Sequence, residues 1–180
     1  RKEMGLVEIR KSSVGAEQSR YFLNTSQEAV VNMGTGAITS GVFNMMFLMA
    51  ENNNVETGAS LETVADVTQK VQPSEPSYEG VTIPYSGLFL KDDPVCQALE
   101  TLYRTRPVGD AAHFYMVEED KWSGAAGKFY IADVAIVVTG ITNEAGDKRR
   151  IEATIGLASD WVAVTTSLTV DENDGTITVA

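Results

Sequence analysis

Catalysis or metal binding needs nucleophiles, titratable groups or ligands at workable spacing, and this sequence offers few. It holds one cysteine, Cys96, and one histidine, His113. One Cys excludes an internal disulfide framework and a cysteine-rich zinc site. One His excludes any metal site with two imidazoles, and a Ser-His-Asp triad would have to use His113. The densest carboxylates are Asp92-Asp93 and Glu118-Glu119-Asp120. Paired carboxylates perform glycoside hydrolysis, but Asp93 is better used as a helix cap. Glu118-Glu119-Asp120 reads as a solvated charged loop ahead of the glycine-rich residues 123–127. His113, beside Phe114 and Tyr115, reads as a structural histidine in a strand. Cys96 reads as a small buried hydrophobe.

The glycines do not form a phosphate cradle. Gly124 and Gly127 lack the Lys and Ser/Thr that a phosphate loop places at a helix start. Gly34, Gly36 and Gly41 have no βαβ unit around them. Asp171, Glu172 and Asp174 lack the spacing of a calcium loop. The expectation is a chain with no catalytic residue, no cofactor and no metal.

The elements that would position these residues are mostly strands. Between Lys148 and Leu157, residues Arg149, Ile151, Ala153, Ile155 and Leu157 fall on one face of an alternating pattern, with charged and small residues on the other. Residues 128–139 are apolar on both faces apart from Asp133, which predicts a strand covered on both sides. The Asn143 and Gly146 region then joins the two as an antiparallel pair. Further strands are expected at residues 7–11, 21–23, 81–90, 113–118 and 162–170. Pro84 cannot donate to a ladder, so its strand belongs at an edge or bulge. Asp174-Gly175 suits a turn between residues 168–170 and 176–179.

One helix is expected at about residues 93–104. Asp93 caps it, Pro94 takes the first helical position, and Val95, Leu99 and Leu102 form one apolar stripe for packing on a sheet face. Arg104 and Arg106 complement the C-terminal dipole, and Pro107 ends the helix.

Residues 33–76 do not fit a short connection. They run from the turn-like Met33-Gly34-Thr35-Gly36 through an apolar stretch to polar and proline-containing sequence. Phe43, Met45, Phe47 and Met49 alternate and would line one face of a projecting hairpin or arm. Two readings stay open for them: ordinary core, or a contact surface between subunits.

The 180 residues suit one domain, and 43% hydrophobic content is enough for a core. The net charge of −11 argues against a nucleic-acid grip. Residues 1–20 sum to +2, whereas residues 21–90 carry one base, Lys70, against seven acids. Such an excess serves either as a solvated surface or to repel a polyanion or recruit a cationic partner. No apolar run is long enough for a membrane helix, and no signal-peptide pattern follows the basic first residues. The free thiol fits synthesis in a reducing compartment.

From about residue 70 onward the order of elements resembles the tail tube (major tail) proteins of long-tailed bacteriophages. Four stretches carry the likeness. The strand Glu79-Gly80-Val81-Thr82-Ile83-Pro84-Tyr85-Ser86-Gly87 leads into Asp92-Asp93-Pro94 and a short helix. A strand begins at His113. Gly127-Lys128-Phe129-Tyr130-Ile131-Ala132-Asp133 opens a long apolar strand, and Arg150-Ile151-Glu152-Ala153-Thr154-Ile155-Gly156-Leu157 completes the pair. The resemblance implies a mainly β subunit, a β-sandwich or barrel-like fold with one flanking helix and a long arm. It implies hexameric rings stacked as a hollow tube in the virion tail, assembled in the bacterial cytoplasm. The implied partners are further copies, a tape measure protein and a tail terminator, with phage DNA passing unbound. Rival readings are a tail terminator or completion protein, and a monomeric β-sandwich module that binds a surface receptor or a carbohydrate, with Trp122 and Trp161 for stacking on sugar. The last is a hydrolase using Glu118 or Asp120 with His113.

Overall fold

A computed structural model describes residues 19–46, 57–63, 74–78, 80–120, 128–142 and 148–180. The strand expected at residues 7–11, the glycine-rich residues 123–127, and Phe47, Met49 and Trp122 lie outside them. The chain is mainly β, with one α-helix among the described residues. In order come β1 (Ser19–Leu23), β2 (Val30–Asn32), β3 (Ala37–Ser40), β4 (Val42–Met45), β5 (Ala59–Thr63), β6 (Ser74–Tyr78) and β7 (Thr82–Leu88). Helix α1 (Pro94–Thr105) and a 3-10 turn (Gly109–Ala112) lead to β8 (His113–Asp120), β9 (Lys128–Thr142) and β10 (Arg150–Leu157). The chain continues through β11 (Val162–Ala163), β12 (Leu168–Asp171) and β13 (Thr176–Val179).

Nine strands form one curled, half-barrel-like antiparallel sheet in the order β12-β13-β4-β1-β8-β9-β10-β7, with β11 also on β9. The 15-residue β9 is the spine. One of its edges pairs with β8 over Lys128 to Ala135, and the other pairs with β11 at Tyr130–Ile131 and with β10 over Val134 to Thr142. Its β-branched run suits a pleated, buried strand. A bulge passes over Thr139, between the partners of Glu152 and Ala153, and such an extra residue bends a strand.

Alternation sends side chains into two cores. On one face, α1 lays Val95, Leu99 and Leu102 among Ile83, Tyr85, Val134, Ile151 and Ile155. Each of those helix side chains contributes roughly 1.5–3 kcal/mol of burial before entropy costs. The helix starts where Asp93 accepts from the N–H groups of Val95 and Cys96 at 3.4 and 3.1 Å. It ends at Arg106, in the left-handed region, whose N–H donates to Leu102 O. On the other face, Phe22, Phe43, Val117, Ile131 and Ile177 pack under Ile38 of β3. Strand β1 serves both, since Phe22 faces one core and Leu23 the other.

Several expectations change. Phe43 does not line an arm: β4 runs between β1 and β13 inside the main sheet, and Phe43 is fully buried, with Met45 half-buried against the same core. Within the 33–76 excursion, residues 37–46 thus belong to the body of the fold. What remains of the arm among the described residues is the β5–β6 hairpin, whose strands pair only with each other and whose Leu61 is 74% exposed. The single strand expected over 162–170 is interrupted. There Thr165 donates its N–H to Gly36 O at 3.0 Å and the Thr166 hydroxyl accepts from Ile38 N at 2.9 Å, so these two threonines serve the β2–β3 hairpin rather than a ladder. β9 is covered on both sides only in its first half, for Val137 is 59% exposed. Glu119 and Asp120 are no solvated loop. They end β8 as buried groups, and Glu119 pairs with Arg20 at 2.6 Å.

Candidate functional site

The strand register builds a cavity at the start of β8. His113 opposes Ala135 and Tyr115 opposes Asp133, so His113 and Asp133 are diagonal neighbours on one face. His113 Nδ1 lies 3.1 Å from Asp133 Oδ1 and 3.3 Å from Oδ2. A carboxylate only accepts, so Nδ1 carries the proton of this bond and Nε2 of the neutral ring is an acceptor. Asp133 is itself held in place: its N–H donates to the Ser159 hydroxyl at 2.9 Å and its carbonyl accepts from Ala158 N at 2.8 Å.

The opposite wall comes from the β1–β2 loop. Asn24 is fully buried, donates through Nδ2 to Val42 O at 2.8 Å, and accepts from Ala29 N at 3.2 Å. This anchor carries Gln27, at φ 58°, to where its Nε2 donates to His113 O at 2.6 Å and Ala111 O at 3.2 Å. Gln27, Asp110, His113, Phe114, Tyr115 and Asp133 line a cavity of about 480 Å³. Its lining offers no Ser, Thr, Cys or Lys as a nucleophile. No group of three or more potential metal ligands occurs among the described residues.

The chain matches no protein-family model and no curated protein.

The hydrolase constellation is not assembled. Glu118 and Asp120 lie five and seven residues along β8 from His113, about 17 and 23 Å at strand rise. Trp161 packs against the α1 core and sits 6.5 Å from the Tyr21 ring, so it is taken up in packing. Cys96 is buried, its thiol near Leu90 N and Leu88 O, and burial pushes it up to about 11. Asp133 and Gln27 carry no sequence motif. The one available signal was Asp133 as the lone charge in an apolar strand.

The other prominent surfaces are the sheet ends. β7 pairs only with β10, and β12 only with β13, among the described residues. Leu157 N donates to Val81 O and Phe89 N to Arg149 O. These fix the odd-numbered residues of β7 as the hydrogen-bonded partners of β10, because such pairs alternate along an antiparallel ladder. Thr82, Pro84 and Ser86 therefore turn their backbone groups to the open edge, as does Leu88, whose carbonyl meets the Cys96 thiol, and Pro84 lacks its N–H where β10 does not need it. The far side of the sheet is clasped by Arg20. It bonds Glu119 across the strand pair and reaches Glu172 of the β12–β13 turn at 2.7 Å. These acids hold the guanidinium charged, well above the usual arginine range.

Proposed function

We propose that this chain is a structural subunit of the tail tube of a long-tailed bacteriophage. Copies join edge to edge into hexameric rings, and stacked rings form a hollow conduit for DNA. The observation that carries this is the open sheet: a curled half-barrel whose seven-residue edge strand β7 and four-residue edge strand β12 are each paired on one side only among the described residues. Exposed edges are a liability in a monomer and a joint in an assembly. The β5–β6 hairpin, a sheet of its own inserted between β4 and β7, supplies a separate element for contact between rings. A net charge of −11 per chain favours passage of a polyanion over its capture. In this reading the protein resides in the virion tail, with tape measure and terminator proteins as neighbours.

Negative-stain microscopy of the purified chain at rising concentration tests it, with Ser86→Pro as the companion variant. That substitution removes an outward N–H and leaves the β10 ladder intact. Tubes from the parent chain, lost in a folded Ser86→Pro variant, are expected. Strictly monomeric parent protein at high concentration would refute the reading, and single rings that never stack would reassign the chain to tail termination.

A further inference from the structure

We infer that the His113 cavity binds an organic cation: a guanidinium or primary ammonium group on an alkyl stem. The cavity is rich in acceptors and poor in donors. Asp110 and Asp133 contribute carboxylates, and with the Nδ1 proton turned to Asp133, Nε2 of the neutral His113 ring is a further acceptor. The one amide donor on the wall, Gln27 Nε2, is committed to two backbone carbonyls. Among the described residues no Lys or Arg pairs with Asp110 or Asp133. Tyr115, on the same strand face as His113, adds aromatic surface, which attracts cations through the ring quadrupole. Anions meet two carboxylates here. A calcium or magnesium ion takes six or more oxygens, and no group of three potential metal ligands converges among the described residues, whereas about 480 Å³ fits the size of small-molecule sites. A ligand with several N–H donors and an apolar stem matches both polarity and volume.

This inference stands apart from the tail tube proposal. Two sources carry the same chemistry: a free polyamine-like cation, or a Lys or Arg side chain of a second copy. His113 is the only histidine of the chain, so its ring C–H signal is an unambiguous NMR reporter. Agmatine is titrated into labelled protein at constant pH and ionic strength. A saturable shift of that signal is expected. Half-saturation moves at least about tenfold higher in Asp110→Asn and in Asp133→Asn, and stays unchanged in Asp92→Asn, an exposed acid outside the cavity. Asp110 is exposed, so its variant tests the site without burdening the fold. A dilution series separates the sources. A His113 signal that moves with protein concentration and is reversed by agmatine assigns the cation to a second copy; a concentration-independent signal assigns it to a free ligand. A shift that never saturates, equal titrations in the parent and both cavity variants, or saturable binding of inorganic phosphate in place of agmatine would each overturn the inference.

Discussion

Gly36→Ala should be among the most damaging single-methyl changes in this chain. Gly36 adopts φ +70°, and a Cβ built on it lies 1.9 Å from Ala163 O and 2.9 Å from Ala163 C. Both are backbone atoms, so no rotamer change relieves the overlap. The carbonyl of Gly36 also accepts from Thr165 N at 3.0 Å, and displacement of the hairpin tip strains that bond as well. The left-handed conformation costs an alanine about 1–2 kcal/mol. Overpacking adds about 1–3 kcal/mol, and the stiffer unfolded chain returns about 0.4–1 kcal/mol. The net loss is about 2–4 kcal/mol, or a urea midpoint lowered by about 1–2 M at a typical slope near 2 kcal/mol/M. Gly109→Ala is the matched control. Its φ is +64°, but a Cβ there meets nothing within 4 Å, so only the conformational part applies. Urea unfolding of both variants, at a concentration where the chain is monomeric, separates the two contributions. Equal midpoints for Gly36→Ala and Gly109→Ala would show that the hairpin does not rest on Ala163 in solution.

Two further outcomes follow from the burial pattern. Phe43→Ala should cost about 3–5 kcal/mol, since Phe43 fills the second core. Replacing residues 59–78 with a short Gly-Ser linker should leave a folded main sheet by circular dichroism and thermal melting; loss of the fold on that deletion, with Phe43→Ala tolerated, would show that the hairpin and not Phe43 belongs to the core. For Cys96, burial pushes the thiol up from 9.0 to about 11. At pH 8 this leaves roughly 100-fold less thiolate than in the unfolded chain, so native alkylation by iodoacetamide should be at least about 100 times slower than in urea. The neutral thiol is the form the fold favours. Its stabilising contribution is thus complete below about pH 9 and is lost as pH rises toward 11. Tyr21, pushed up to about 12 by burial and Glu118, acts in the same direction. A urea midpoint that rises between pH 9 and 11 would contradict both assignments.

Legibility in the sequence followed the range of the interaction. Helix α1 was readable because its stop and start signals are local: Asp93 caps N–H groups two and three residues ahead, and Pro94 sits where no N–H is needed. β10 was readable from strict alternation, and Pro84 announced an edge strand by the bond it cannot make. β2 and β3 were not readable. They are three and four residues long, and they are held by the hydroxyls of Thr165 and Thr166 and the backbone N–H of Thr165, some 130 positions away. β6, Ser-Glu-Pro-Ser-Tyr, has weak strand propensity and exists through pairing with β5. The alternation of Phe43 and Met45 was visible, but alternation cannot tell a core strand from an apolar arm; only the neighbours β1 and β13 decide. The His113–Asp133 pair was hidden for a related reason. The two residues are 20 apart and meet only once the β8–β9 register is known.

The position of β13 beside β4 sets an order on how the sheet is completed. Phe43 pairs with Ile177, and Arg20 reaches Glu172 across 152 residues. On the ribosome, at about 5–20 residues per second, one edge of β4 waits on the order of 10 s for its partner. Through that interval the apolar face around Phe22 and Phe43 lacks Ile177, and β4 offers an unpaired edge to any neighbouring nascent chain. Pairing of such long sequence separation is intrinsically slow. The last hairpin therefore acts as a checkpoint: the sheet gains its final edge only after β12 itself has been synthesised and docked.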